Sequence, residues 1–407
     1  MKLSFAFALI LMTGPAFSMP ELTPIWDLNF NNGNNGLQDV SRAGIQIGTN
    51  LFSCGYFGSS PNWAWGFKKM SIIGSLLDSN IYNYGGVNIC DSMAYDGDSI
   101  FYAGYDSGPG NRRIVNKDLN GNLLWQKTFG HGRYNGITIM GDNLYLCGSN
   151  GSTGLFEKIN KSGALYKAVA DTNNSYFDNA ITNDGTYIYV AGETANFGGE
   201  LLITKLDSDL KTIWTQTFFS ESGEAHATGI AYLNSKLYIA GYRQNGADTN
   251  GVFMRINSNN GSLDWNFVDT NSNQFYSVIT IDEKYVLFSG SDKKNWYSLL
   301  TDLSGGVVNS WTWDSNTGSG EARIMNSYYN GDGNLFLFGY GQNLVSDSTN
   351  KDWWIKRVNL NTGFQKKLSL PEPKNQLLSY IVFFLSMGII LILVILHLNR
   401  KKASGNN

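Results

Sequence analysis

The chain has 407 residues, of which 46 are glycine and 14% are aromatic, and its 30 basic and 33 acidic residues give a net charge of −3. This near-balanced charge, with no long run of Lys or Arg, argues against a nucleic-acid-binding protein. The chain has only three histidines and no nucleotide-binding, zinc-protease or serine-hydrolase motif, so we expect no catalytic residues, no metal site and no cofactor.

Residues 1–18 have the features of a secretory signal peptide. Lys2 supplies a positive charge, the apolar segment LSFAFALILM follows, and the small residues Ala16 and Ser18 precede the expected cleavage site. The apolar segment is too short to span a bilayer. We therefore expect the mature chain to begin at Met19.

A regularly spaced glycine divides the rest of the chain into repeats, which we number 1 to 7. The spacings are 49, 44, 44, 49, 49 and 49 residues, and each glycine closes an apolar run such as LYLCG or LYIAG. The third residue before the glycine is aromatic in six repeats, and the first and twelfth residues before it are mostly small. A fixed period of this length indicates a repeat architecture. The seven glycines are Gly55, Gly104, Gly148, Gly192, Gly241, Gly290 and Gly339.

Each repeat reads as four β-strands. Repeat 5 contains TGIAYL, LYIAGY, VFMRI and SLDWNF, which are rich in β-branched and aromatic residues and are separated by Asn, Ser and Gly. The sequence therefore predicts an all-β protein: a seven-bladed β-propeller of four-stranded antiparallel blades over residues 19–370. The small residues twelve positions before each glycine fit the innermost strand, because these strands converge on the propeller axis.

The motifs of these repeats resemble a known family. The segment SDLKTIWTQTF, and the combination of LYIAG with a D-x-x-G-x-x-x-W strand, resemble SBBP-type β-propeller repeats and, more distantly, the tryptophan-bearing repeats of quinoprotein (PQQ) propellers. The resemblance covers roughly residues 25–370 and concerns structural positions only. It implies the propeller fold and no catalytic residue, and the adjacent cysteine pair usual in quinoproteins is missing.

The last repeat lacks a tryptophan in its fourth strand, where other repeats carry one in LLWQKTF, TIWTQTF and LDWNF. A matching segment, PIWDLNF with Trp26, occurs near the N-terminus. We predict that residues 25–30 supply the outer strand of blade 7, which would close the ring and remove an open sheet edge. The alternative is that residues 25–30 form a loose N-terminal arm.

The best candidates for a binding site are the polar residues thirteen positions before each repeat glycine. In a closed propeller they would surround one mouth of the central channel, and mixed Arg, Asp and amide chemistry suits a peptide or a sugar. The alternative is that strand entrances are polar simply because they are hydrated. The seven residues are Arg42, Asp91, Asn135, Asn179, Thr228, Ser277 and Asn326. Further polar residues would enlarge this rim: Arg133, Tyr134, Asp178, Glu224, His226, Tyr276, Glu321 and Arg323.

Two other patterns allow a functional and a structural interpretation. Turns such as Asp96-Gly97-Asp98 could offer oxygen ligands to calcium, but we favour tight hairpin turns, in which Asp-Gly is common. The pairs Trp63 and Trp65, and Trp353 and Trp354, could form an exposed patch where blades 1 and 7 meet. The alternative is that these tryptophans alternate along a buried third strand.

Cysteines and glycosylation sequons complete the candidate sites. Cys54 and Cys147 each stand one residue before a repeat glycine and are expected to be small buried thiols, whereas Cys90 has no evident partner. We predict N-glycosylation in inter-strand turns on a luminal or extracellular propeller. The sequons are at Asn150, Asn160, Asn173 and Asn260.

The C-terminal region has the features of a membrane anchor. Residues 371–376 form a short juxtamembrane linker, and residues 377–398 carry no formal charge and are long enough for a transmembrane helix. The tail comprises residues 399–407. Its basic residues Arg400, Lys401 and Lys402 favour a cytosolic location for it. The propeller would then lie on the luminal or extracellular side, as in a type I membrane protein.

These features together predict a single-pass type I membrane glycoprotein of the secretory pathway or the cell surface. Its expected function is non-catalytic recognition or scaffolding, with a protein or a glycan as the ligand and no nucleic acid. The alternative is a carbohydrate-binding lectin or an enzyme that uses the channel mouth.

Overall fold

The described part of the chain consists of β-strands and turns. The computed structural model describes residues 21–30, 38–59, 62–106, 110–151, 153–171, 175–194, 199–219, 223–292, 294–313, 321–342 and 351–361. These ranges contain 28 strands and no helix, and therefore no helix able to cross a membrane. The predicted signal peptide, juxtamembrane linker, transmembrane helix and cytosolic tail lie outside them. All the strands belong to the unit formed by residues 1–363, and the second unit, residues 364–407, also lies outside them.

The strands form seven antiparallel sheets of four strands each, as predicted. The first strand, β1 (Glu21–Phe30), precedes the first repeat. Blade 1 contains β2 (Val40–Ile47), β3 (Asn50–Ser59), β4 (Asn62–Ser71) and β5 (Leu76–Tyr82). Blade 2 contains β6 (Asn88–Tyr95), β7 (Ser99–Asp106), β8 (Asn111–Asp118) and β9 (Leu123–His131). Blade 3 contains β10 (Arg133–Met140), β11 (Asn143–Ser149), β12 (Gly154–Asn160) and β13 (Leu165–Asp171).

The later blades repeat this order, except that blade 7 is completed from the N-terminus. Blade 4 contains β14 (Ser175–Asn183), β15 (Ile188–Thr194), β16 (Leu201–Leu206) and β17 (Thr212–Phe218). Blade 5 contains β18 (Glu224–Leu233), β19 (Lys236–Asn245), β20 (Asp248–Asn257) and β21 (Leu263–Asp269). Blade 6 contains β22 (Gln274–Ile281), β23 (Tyr285–Ser291), β24 (Trp296–Asp302) and β25 (Val307–Trp313). Blade 7 contains β26 (Ala322–Tyr329), β27 (Asn334–Gln342), β28 (Lys351–Asn361) and β1.

The N-terminal strand closes the ring, which confirms the predicted role of residues 25–30. Strand β1 pairs with β28 over its whole length, with Trp26 opposite Arg357. Trp26 Nε1 donates to the carbonyl oxygen of Ile72 in blade 1 at 3.0 Å. Trp125 makes the equivalent contact between blades 2 and 3, donating to Lys161 O at 3.0 Å. In blades 2 and 7 the tryptophan of the outer strand therefore ties its blade to the next one by a hydrogen bond.

A shared β-bulge explains the repeat glycines. The first strand of every blade carries an irregularity in its pairing with the second strand, close to the glycine. A Cβ atom on Gly148 would lie 2.0 Å from the carbonyl oxygen of Arg133, and one on Gly55 would lie 1.9 Å from that of Val40. Such distances are far below van der Waals contact, so only glycine fits this position.

The hydrophobic core lies between successive blades. One cluster joins Phe52 and Trp65 of blade 1 to Ile100 and Val115 of blade 2. Trp63 is half-buried and stacks on Tyr56. The predicted exposed tryptophan patch is wrong for its other three residues: Trp65, Trp353 and Trp354 are 0, 0 and 4% exposed. Successive residues of a strand point to opposite faces of the sheet, and both faces of the third strand are packed against neighbouring blades. These side chains are therefore buried, as the alternative of a buried third strand predicted.

Candidate functional site at the channel mouth

The first strands of all seven blades surround a central cavity of about 650 Å³. Small residues allow these strands to approach one another closely. A Cβ on Gly136 of blade 3 would lie 2.9 Å from Ile181 Cγ2 of blade 4, and one on Gly229 would lie 3.2 Å from the backbone of blade 6. The predicted reason for small residues at this position, crowding around the axis, is the observed one.

Five of the seven predicted rim residues occupy the bulge position of their blade. They are Arg42, Asp91, Asn135, Asn179 and Thr228. A bulge leaves one residue outside the regular pairing and re-aims its side chain. Four of them line the cavity, whereas the side chain of Asn179 lies outside the described part. Thr228 Oγ1 also donates to the carbonyl oxygen of Phe275 in the next blade at 2.5 Å.

Ser277 and Asn326 stand one position away from the bulge, which is occupied by Tyr276 in blade 6 and Met325 in blade 7. The reason is the length of the first hairpin. Blade 6 has three residues between the paired residues Ile281 and Tyr285, whereas blade 5 has two in the same turn. Counting back from the glycine therefore misses the bulge by one residue.

In the structure, Ser277 and Asn326 connect adjacent inner strands. Ser277 Oγ accepts the backbone N–H of Ser327 at 3.0 Å, and Asn326 Oδ1 accepts that of Gly44 at 3.2 Å. Ser92 Oγ makes the equivalent bond with Ile137 in blade 3 at 3.3 Å. These side chains line the cavity, but their hydrogen bonds hold the ring together.

The rim of blades 1 to 3 carries a cationic cluster. Arg42 Nε lies 3.4 Å from Asp91 Oδ1, and the two side chains are 31 and 12% exposed. Burial raises the pKa of Asp91, and the nearby Arg42 and Arg133 oppose that rise. Burial alone would lower the pKa of Arg42, but Asp91 and neighbouring tyrosines outweigh it and raise the pKa.

Blade 7 adds a second charged cluster. Arg323 forms an ion pair with Glu321 and donates to the hydroxyl of Tyr276, and Lys351 Nζ lies 3.4 Å from Glu321 Oε2. Burial would raise the pKa of Glu321, but the two cations outweigh it and lower the pKa. Two cations therefore share one carboxylate.

Blades 4 and 5 carry the carboxylates of the opposite side. Glu193 contacts His226 Nδ1, and Glu224 Oε2 lies 3.7 Å from His226 Nε2. The imidazole stacks on the ring of Tyr242 with 4.5 Å between centroids. Burial lowers the pKa of His226. Two carboxylates flank this one imidazole, so anionic groups outnumber cationic ones in this cluster.

Below this polar rim the cavity wall becomes apolar. The second residue after the bulge is hydrophobic in five blades, and these side chains form an apolar girdle around the axis. Ile137, Ile230 and Val278 are 6, 9 and 6% exposed. The girdle residues are Met93, Ile137, Ile181, Ile230 and Val278. A ligand that enters the mouth therefore meets polar groups first and an apolar floor second.

Sequence reasoning missed a set of tyrosines near the mouth. They stand one residue after the repeat glycine in four blades, and the positions could have been found by counting one residue forward. They are Tyr56, Tyr105, Tyr242 and Tyr340. Burial raises the pKa of Tyr105 and of Tyr242 to about 12, so these hydroxyls stay protonated.

Two of the additional rim candidates need comment. Tyr134 is a core residue, 1% exposed, whose hydroxyl donates to Glu157, which also pairs with Arg112. Its place beside Arg133 in sequence is misleading because successive strand residues point to opposite faces. The side chain of Asp178 lies outside the described part.

The other predicted sites fall in turns and in the core. Asp96 Oδ1 accepts the backbone N–H groups of Asp98 and Ser99 at 3.0 and 2.8 Å, the geometry of the favoured hairpin turn. Among the three sequon asparagines whose positions are described, Asn150, Asn160 and Asn260, the last is exposed. Asn173 lies outside the described residues. The three cysteines are buried thiols, as predicted for Cys54 and Cys147.

Comparisons with solved structures support the fold. No known family model matches the chain, and no curated protein sequence matches it. The chain is similar to Kuenenia stuttgartiensis hydrazine synthase, with 11% identity, a TM-score of 0.54, and coverage of 82% of this chain and 99% of that chain. It is also similar to Chaetomium thermophilum Sqt1 bound to the N-terminus of the ribosomal protein L10, with 10% identity and a TM-score of 0.52. That match covers 84% of this chain and 100% of the Sqt1 chain. A putative 6-phosphogluconolactonase from Bacteroides uniformis has 14% identity, a TM-score of 0.49, and coverage of 66 and 83%. At these identities the similarity establishes the propeller fold alone.

Proposed function

We propose that the protein is a membrane-anchored, non-catalytic recognition module that binds a peptide segment of a partner protein at the channel mouth. The observation that carries this proposal is the separation of charge across the mouth, above an apolar floor. A peptide is the ligand class that combines opposite charges, hydrogen-bonding groups and an apolar side chain within a short distance.

The charge separation follows from blade order. The inner strands form a closed ring in which blade 1 lies across the axis from blades 4 and 5. Of the rim clusters described above, those on the arc from blade 7 to blade 3 contain four cations, Arg323, Lys351, Arg42 and Arg133, and two anions, Glu321 and Asp91. The opposite arc contains Glu193 and Glu224 beside His226, and the nearby Arg243 of blade 5 lies over the ring of Phe219. A peptide with an acidic and a basic side chain matches both arcs.

The walls of the mouth suit a peptide as well. Tyr242 and Tyr276 line the cavity, and tyrosine offers a large contact area at little cost in side-chain entropy, together with a hydroxyl for hydrogen bonding. The cavity of about 650 Å³ lies within the range of about 300–1,000 Å³ typical of ligand pockets. The similar Sqt1 structure is bound to the N-terminus of a ribosomal protein, which agrees with peptide recognition by a propeller.

A non-catalytic role is supported by the surroundings of the mouth histidine. The described contacts of His226 are two carboxylates and the ring of Tyr242. This is not a nucleophile–base pair, which catalysis by an activated Ser or Cys requires.

The membrane location rests on the sequence. The signal peptide of residues 1–18 and the apolar segment of residues 377–398 favour a type I protein whose propeller is luminal or extracellular. The full-length chain, expressed in eukaryotic cells, should carry N-glycans and resist protease in sealed microsomes, apart from its C-terminal tail. An unglycosylated, carbonate-extractable chain would contradict this location.

The binding proposal is tested with the full-length protein in detergent on an array of short peptides and a glycan array. We expect binding to peptides in which an apolar residue separates an acidic from a basic one. Arg42→Gln and Glu193→Gln should each weaken that binding about tenfold, the size expected for a charged contact worth about 1.4 kcal/mol. Lys211→Gln and Glu283→Gln are matched controls, because these exposed residues lie in turns at the opposite face.

Two outcomes would overturn peptide recognition. Binding to glycans but not to peptides would identify a lectin. Peptide binding that is unaffected by Arg42→Gln and Glu193→Gln would place the ligand elsewhere on the propeller.

A further inference from the structure

Two of the three cysteines meet at the interface between blades 1 and 2. Cys54 lies on β3 and Cys90 on β6, and both are 0% exposed. Cys54 Sγ donates to the carbonyl oxygen of Cys90 at 3.9 Å, Cys90 Sγ donates to that of Ser92 at 3.8 Å, and both side chains lie in one hydrophobic cluster. The sequence offered no partner for Cys90, so this proximity is a product of blade packing.

We propose that Cys54 and Cys90 form a disulfide that links blade 1 to blade 2 in the mature protein. The inference rests on the secretory location proposed above, since disulfides persist in oxidising compartments. In the reaction each thiol loses its proton, and a protein disulfide of the oxidoreductase class accepts the two electrons and becomes a dithiol. The new sulfur–sulfur bond adds a covalent link between two blades that are otherwise joined by side-chain packing, hydrogen bonds and the Arg42–Asp91 ion pair.

The disulfide must form before the two blades dock. Burial raises the pKa of the Cys90 thiol well above its ordinary value, and the neighbouring Cys54 thiol raises it further. Because the thiolate is the species that attacks a disulfide, a thiol in this environment exchanges slowly once the propeller has folded. During folding, by contrast, both side chains are accessible to the oxidoreductase.

Cys147 provides an internal control. It stands in blade 3 where Cys54 stands in blade 1, one residue before the repeat glycine, and is 0% exposed as well. The register position that Cys90 holds in blade 2, opposite the repeat glycine, is held in blade 4 by Asp178. Cys147 therefore has no cysteine at the corresponding position and should remain a thiol.

Mass spectrometry on the full-length protein from a eukaryotic secretory host tests the proposal. The protein is denatured without reductant in the presence of N-ethylmaleimide and then digested with trypsin, which cleaves between Cys54 and Cys90 at Lys68 and Lys69. We expect a cross-linked peptide pair that lacks the mass of two hydrogen atoms, and an alkylated Cys147. The Cys90→Ser variant should expose Cys54 to alkylation, whereas Cys147→Ser should keep the cross-link.

The glycan at Asn260 separates failure of this proposal from failure of the secretory location. Alkylation of all three cysteines in a chain that is glycosylated at Asn260 would overturn the disulfide. If the chain carries neither glycan nor cross-link, the location fails, and the wild type is refolded with oxidised glutathione. Absence of the cross-link after that refolding would also overturn the proposal.

Discussion

Asn326 Oδ1 accepts a hydrogen bond from the backbone N–H of Gly44 at 3.2 Å, and this bond joins the last blade to the first beside the channel axis. At the perimeter the same two blades are joined by Trp26, which donates from blade 7 to Ile72 in blade 1. The ring is therefore closed twice, once on the inside and once on the outside. A residue that stood in the predicted binding rim is part of the inner closure.

Replacing Asn326 with Ala should destabilise the protein rather than weaken ligand binding. Gly44 is buried, so its N–H would lose its partner inside the protein, at a cost of about 1–3 kcal/mol. Urea unfolding followed by tryptophan fluorescence measures this loss. Asn259→Ala, in an exposed turn, is the control and should change the free energy of unfolding by less than about 0.5 kcal/mol. Full stability of Asn326→Ala combined with a loss of peptide binding would instead return Asn326 to the ligand site.

The outer closure predicts a large effect of Trp26→Ala. The substitution removes a half-buried ring that packs on Gly74 and the hydrogen bond to Ile72, so we expect a loss of about 2–4 kcal/mol. Deleting residues 19–31 should lower Tm further and promote association, because β28 would become an exposed edge strand. Ile25→Ala, at a side chain 45% exposed on the same strand, is the control and should change Tm little. An unchanged Tm after the deletion would show that β1 is dispensable for closure.

The glycine at the bulge predicts a sharp difference between two Gly→Ala variants. A methyl group at Gly148 would collide with the carbonyl oxygen of Arg133, so blade 3 must open or shift, and we expect a loss of more than about 3 kcal/mol. The nearest atom to a methyl at Gly130 would be Arg112 Nη2 at 3.8 Å, an ordinary contact. Thermal unfolding of the two variants should separate them clearly, and equal Tm values would contradict the steric explanation of the repeat.

The fold could be predicted from the sequence because, in the six blades whose repeat glycine has described surroundings, a backbone contact restricts the identity of that residue. A carbonyl oxygen that approaches Gly148 or Gly55 excludes every side chain, so the glycine period records the bulge directly. Trp26 could be assigned to blade 7 for the same reason, since an outer-strand tryptophan packs on a turn of the next blade. Ring closure was therefore within reach of sequence reasoning.

The candidate site was harder to predict from the sequence because its positions depend on hairpin lengths that vary between blades. One additional hairpin residue in blade 6 moves Ser277 out of the bulge and Tyr276 into it, and a polar turn of either length reads alike in sequence. The contact between Cys54 and Cys90 depends on the packing of two blades at non-equivalent positions. The mouth tyrosines look like ordinary strand residues until the pairing is known.

Lys68 is a buried cation at the junction of blades 1 and 7. It is 6% exposed, and its Nζ lies 4.2 and 4.8 Å from the ring centroids of Phe30 and Phe57. Burial lowers the pKa of Lys68 to about 8, although the charge of Asp39 opposes the shift. The aromatic rings attract the ammonium group and offset part of the free energy lost when water is removed from it. They do not offset all of it, so the pKa of Lys68 remains lowered.

This lowered pKa predicts how the stability of the protein depends on pH. The pKa of Lys68 in the folded state lies below its value of 10.5 in an unfolded chain, so the unfolded state binds the proton more tightly. The cost of burying the charge is complete below pH 8 and disappears as the pH rises toward 10.5. Each pKa unit corresponds to about 1.4 kcal/mol, so the fall of the pKa from 10.5 to about 8 should cost roughly 3–4 kcal/mol at pH 7, of which about 1 kcal/mol remains at pH 10. The difference in the free energy of unfolding between the wild type and Lys68→Met should therefore move by about 2–3 kcal/mol in favour of the wild type between pH 7 and pH 10. Taking the difference between the two proteins cancels the titration of the tyrosines, which they share. A difference that does not change with pH in urea unfolding at both values would mean that Lys68 titrates normally in the folded protein.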